Sequence, residues 1–317
     1  MTQVNMLVQS LALVVALILC TFWLKRRGTL AADDRAIFSR LVTDLALPAL
    51  ILETFARHPF EFRSLLPAVI MLAATIICLV TGGVIGRFVF RLERAKLGAV
   101  ILVSGFGSSA SLGYAIVQHM MGSNPKAVND ALIIGEFGAT MPFFVIGVAI
   151  AIYFGSTTAS AKGQWAPSLA FFRSPIFVSM VVGISLSFLH LSESQPVIAF
   201  LYQVLHVIGG SLMLMVAITI GLMLRPIPVK ALLPLILVVV PIKLLLQPML
   251  AYVGAQCFGM PNLERTVLVV ESAMPSGLIA TVVGARYGLD GGLASAITIA
   301  TYVASVVTMP GVLLLIS

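Results

Sequence analysis

Glutamate, serine and proline crowd the middle of an otherwise apolar run, Glu264 to Tyr287. Its centre reads Glu271-Ser272-Ala273-Met274-Pro275-Ser276-Gly277. Proline inside a helix removes a backbone donor and clashes with the preceding turn. In hydrocarbon the freed carbonyls need partners, so such a break survives only inside protein or beside a wet cavity. A carboxylate four residues before the break adds to this, because ionisable groups within a membrane are expensive and mostly functional. The plainer reading is a proline-kinked span with a snorkelling glutamate. The more informative one is a discontinuous helix at a substrate or ion site, carried by Glu271, Ser272, Pro275 and Ser276.

A second polar centre lies in Lys96 to Met121, where Ser104-Gly105-Phe106-Gly107-Ser108-Ser109-Ala110-Ser111 contains no proline. Small residues at this density also serve helix packing. Its correspondence with the first stretch makes it a second loosened helix, with Ser108, Ser109 and Ser111 as candidate ligands. Two half-helix N-termini aimed at one point suit an anion, and carbonyls at the opposite ends suit a cation. Few other ionisable residues lie inside apolar runs: Asp44, Glu136 and Lys243 join Glu271. Lys243 and Glu271 fall on consecutive runs, which leaves open an ion pair with Lys243 as charge partner. Asp44 precedes Pro48 by four residues and is, with Glu271, a candidate proton or cation site. Glu136 reads as interfacial. Prolines 234, 241 and 248 are seven apart and predict a bent helix that exposes Lys243. His119, His190 and His206 are scattered, and His58 reads as a loop residue. No nucleophile–base set, metal-ligand spacing or nucleotide-binding loop is present, so neither an enzyme nor a self-contained ATP-driven pump is expected.

These residues must be held by membrane-spanning helices. Of 317 residues, 60% are apolar and 10% charged, with mean hydropathy +1.09, which excludes a soluble domain. The net charge of +7 resides in short gaps between apolar runs, so it reads as topology signal rather than nucleic-acid affinity. Cys20, Cys78 and Cys257 lie in apolar runs without ligand spacing and read as packing residues. No cleavable leader is expected, since the first apolar run is long enough to span.

Runs of about 20 apolar residues predict ten spans, at 5–24, 36–56, 65–86, 97–121, 128–153, 174–191, 196–223, 231–257, 265–286 and 291–316. The fold class is therefore an all-α polytopic membrane protein. The halves repeat: Pro59-x-x-x-Arg63 recurs as Pro226-x-x-x-Lys230, Leu92-Glu93-Arg94 as Leu263-Glu264-Arg265, and Thr140-Met141-Pro142 as Thr308-Met309-Pro310. Residues 1–153 and 174–317 then form two five-helix repeats around a central cytoplasmic loop, 154–173. An odd helix count inverts the second copy. With the N-terminus outside, fourteen basic residues fall in inward gaps and four in outward ones, which places both termini outside.

At this point the chain resembles the auxin efflux carrier family. The likeness rests on Leu47-Pro48-Ala49-Leu50-Ile51-Leu52, on Gly107 to Gly113, and on Ala273-Met274-Pro275-Ser276 followed by Ala285-Arg286-Tyr287-Gly288-Leu289-Asp290. It covers essentially the whole length. The resemblance implies two inverted five-helix repeats similar to bile acid sodium symporters, with discontinuous helices 4 and 9 crossing at the site. It also implies carriage of organic anions such as auxin, malate or malonate. Two positions depart from the family: Ser108 stands where it has Asn, and Ala115 where it has Pro. A common proline is also missing near Ser211. Compact loops resemble bacterial members, which points to a bacterial inner membrane.

The expectation is a secondary carrier of a small organic anion coupled to protons or sodium. Its partners are that anion and the lipid bilayer, with a homodimer implied by the family alone. A bound sodium ion is the one cofactor the wider fold allows for. The alternatives are sodium-coupled symport of a larger amphipathic anion, and a passive channel or receptor.

Overall fold

The computed structural model describes residues 3–57, 65–155, 173–188, 195–223, 229–277, 279–280, 284 and 287–316. The expected central loop lies outside these residues from 156 to 172. So do His58, Arg63, His190, Pro226, Ala285 and Arg286. The described residues are almost wholly helical, with no strand among them and one isolated antiparallel bridge, Gly107 to Ser276. Among the described residues, five helices are long and apolar enough to cross a membrane: Leu65–Val89, Pro125–Phe154, Pro196–Thr219, Leu232–Cys257 and Gly291–Val312. Large apolar side chains such as Phe88, Val197 and Val307 stand more than 70% exposed. A water-soluble surface avoids apolar exposure on this scale.

The chain forms two compact units. One comprises residues 1–63, 115–132 and 170–225, the other 64–114, 133–169 and 226–317. Each takes stretches from before and after the central connection.

In the first unit, helix Leu47–Arg57 buries Leu50, Ile51 and Phe55 and packs on Pro175–Ser187 and Pro196–Gly210. Helix Pro175–Ser187 starts by rule: the Ser174 hydroxyl accepts from Phe177 N at 3.2 Å, and proline occupies the first helical position. Buried Glu53 accepts from Arg57 at 3.0 Å, and its carboxylate lies 3.2 Å from His206 Nδ1. Neither Glu53 nor this role for His206 is expected from the sequence.

In the second unit, helix Leu65–Val84 packs on Arg94–Gly105, and both lie against a core built from Val100, Leu102, Val103, Phe106, Phe143 and Ile297. The Phe106 and Phe143 rings meet edge to face, with centroids 5.1 Å apart, a geometry the ring quadrupoles favour.

Three helices carry a π turn that ends two residues before a proline: Val42–Ala46 before Pro48, Glu136–Thr140 before Pro142, and Ile242–Leu246 before Pro248. Proline cannot donate and its ring crowds the carbonyl four residues back. Widening the preceding turn relieves both problems without ending the helix, and such turns recur at functional sites. Each of the three carries one ionisable side chain inside the turn: Asp44, Glu136 and Lys243.

Phe143→Ala should empty the space facing Phe106. The expected loss is about 3–5 kcal/mol, read as a lowered melting temperature of the detergent-purified protein.

Candidate functional site

Helix Arg94–Gly105 stops at Phe106, whose backbone is extended. After Phe106, Gly107 and Ser108 the chain re-enters a π turn, Ser109–Gly113, and then helix Tyr114–Met121. Helix Asn262–Ser272 likewise ends at Ala273, short of Pro275. The two interruptions pair with each other. Ser108 N donates to Pro275 O at 2.8 Å, and Gly277 N donates to Phe106 O at 2.9 Å. Each stretch thus supplies the partners the other lacks.

Side chains complete the accounting. The Ser276 hydroxyl donates to Val103 O at 2.6 Å, while Ser276 N donates to the Thr301 hydroxyl at 3.0 Å. At the end of Asn262–Ser272 the last carbonyls have no helical partner. Ser109 Oγ donates to Glu271 O at 2.9 Å, and Lys243 Nζ donates to Ser272 O at 3.2 Å. A cation at that end also opposes the helix dipole. Lys243 further donates to Gln247 Oε1, and Gln247 Nε2 donates to the Thr75 hydroxyl at 2.9 Å. All of these groups are buried. A Cβ on residue 107 would lie 2.8 Å from Lys243 Nζ, so glycine is what lets the ammonium sit behind the extended stretch.

The sequence-chosen residues are therefore largely gathered: Ser108, Ser109, Ser272, Pro275, Ser276, Glu271 and Lys243 meet around the interruptions. Ser111 belongs to the π turn by its backbone. Asp44 lies in the first unit, exposed, accepting from the Thr43 hydroxyl at 2.9 Å.

Three expectations need correction. Lys243 is not exposed by a bend; it is fully buried, because the π turn Ile242–Leu246 turns it inward. Lys243 and Glu271 form no ion pair among the described residues, since the ammonium is taken by Gln247 and Ser272 O. Glu136 is not interfacial but only 1% exposed. The interruption near Ser108 exists with alanine at 115, because backbone pairing and glycine rather than a proline open it. Thr75, Gln247 and Thr301 were missed.

Gln247→Leu should cost about 1–3 kcal/mol by leaving a buried ammonium short of an acceptor. Adding Lys243→Met should recover much of that loss, because the unpaired charge goes with it. Melting curves of the single and double variants check this.

The sequence profile of a family described as membrane transport protein matches residues 6–161 and 168–313. An uncharacterized transporter of Methanocaldococcus jannaschii is 26% identical over 286 residues, 88% of either chain. An uncharacterized transporter of Methanothermobacter thermautotrophicus is 23% identical over 303 residues, 94% of either chain. A match over nearly the whole chain, apolar helices and paired interruptions agree: the chain is a multi-pass membrane transport protein and belongs to the auxin efflux carrier family.

Proposed function

We propose that the protein is a secondary carrier of a small organic anion, with Glu271 holding the coupling cation, a proton or sodium. The anion binds between Ser108, Ser109 and Ser111 on one interruption and Ser272, Pro275 and Ser276 on the other. Lys243 balances its charge from behind Gly107. Asp44 is a second coupling group, carried by the other unit. The architecture that goes with this reading is ten spans in two inverted five-helix repeats, with both termini outside.

The observation that carries it is Glu271, fully buried at the end of an interrupted helix with neither carboxylate oxygen hydrogen-bonded among the described residues. A carboxylate so placed is costly unless something binds it. Small side chains around it suit a compact anion better than a bulky one.

Proteoliposomes loaded with unlabelled mono- and dicarboxylates should take up the labelled acid faster than empty ones. A passive channel shows no such trans-stimulation, and its absence would end the carrier reading. Glu271→Gln should slow coupled uptake by about tenfold or more, the consequence of losing one charge-assisted contact.

A further inference from the structure

Glu136 has no part in the site as read from the sequence. In the structure it is 1% exposed, and neither of its carboxylate oxygens has a hydrogen-bond partner among the described residues. Glu271 is in the same condition. The two are connected through one short turn. Glu136 opens the π turn Glu136–Thr140, which packs on the π turn Ser109–Gly113. That second turn in turn lies against Glu271, whose carboxylate fills the space in front of Gly113, where a Cβ would overlap it.

Several donors nearby are already used. Thr140 Oγ1 donates to Gly135 O, Ser109 Oγ to Glu271 O, and Ser272 Oγ to Val269 O. Lys243 donates to Gln247 and to Ser272 O. The titratable groups on elements packed here are Cys78, Tyr252, Cys257 and Tyr302, and the start of Glu271's own helix carries Glu264 and Arg265, the latter donating to Asn262. Two acceptor-only groups, enclosed and with no hydrogen-bond partner among the described residues, call for a positive ligand that arrives from outside. Carboxylate oxygens are ligands for hard cations and for protons, not for soft metals.

We infer that Glu136 and Glu271 jointly hold one monovalent cation, a proton or an alkali metal ion, beside Gly113, whose missing side chain makes room for the Glu271 carboxylate. This rests on the carrier reading for its purpose, and it makes Glu136 an equal partner of Glu271 in coupling.

The test is binding without substrate. The purified full chain is melted in sodium, potassium or choline chloride at equal ionic strength, each at pH 6 and pH 8. Wild type should melt about 3 °C or more higher in one alkali salt or at the lower pH. The first result identifies a metal ion and the second a proton. Glu136→Gln and Glu271→Gln should each abolish that dependence, and the double variant should behave like either single one. Glu136→Asp, with a shorter reach, should keep the response but move its midpoint about tenfold in cation concentration, equal to about 1.4 kcal/mol. A wild-type protein indifferent to both variables overturns the proposal, as does a Glu136→Gln variant that responds in full. Intact trans-stimulation with no cation response would overturn this site and spare the carrier reading. A cation response without exchange would do the reverse.

Discussion

Backbone donors and acceptors inside a membrane protein must be satisfied by protein, because lipid offers them nothing. Phe106 to Ser108 and Pro275 to Gly277 meet that demand in each other, through two hydrogen bonds that make up the bridge of Gly107 with Ser276. Neither interruption is stable alone. Without the partner, each would leave unpaired amides and carbonyls at the ends of two helices. The remaining polar features of the site follow from this pairing. Ser276 is held by Val103 O and Thr301, Ser109 and Lys243 close the end of Asn262–Ser272, and Gln247 and Thr75 hold the lysine. A network this closed has few alternative arrangements, so the unpaired groups within it stand out.

Those groups are carboxylates. Lys243, the buried cation, is already bound on two sides, whereas the carboxylates of Glu136 and Glu271 have no hydrogen-bond partner among the described residues. The imbalance distinguishes a group that supports the backbone from groups that await a ligand. Lys243 caps a helix end and would be needed in any version of this fold. The glutamates add nothing to its hydrogen bonding, so their presence in so enclosed a place asks for a functional account.

Much of this was legible in the chain itself. Apolar composition and run length disclosed a polytopic helical protein, and the proline at 275 with its polar neighbours marked one interruption correctly. The Gly–Ser stretch marked the other through its place in the repeat, even with alanine at 115. What escaped was direction. A run of letters shows that Lys243 and Glu136 lie in helices but not which way they face, because a π turn rotates everything after it relative to a regular helix. Hence Lys243 was expected outward and Glu136 at an edge, and both are buried. Partners distant in sequence escaped too: Gln247 reaches Thr75 across 172 positions, and Glu53 reaches His206 across 153. No local pattern encodes such pairs.

The three proline-linked wide turns have a consequence for how these helices change with time. One added residue advances the helical register by about 100°, so the faces before and after each turn look toward different neighbours. A single helix can thereby serve a packed core at one end and a polar centre at the other. Deleting one residue outside such a turn would leave length and hydropathy almost untouched while swinging half a helix onto the wrong side. In this architecture, insertions and deletions of one residue are more damaging than most substitutions, and least tolerable where the chain looks most uniformly greasy.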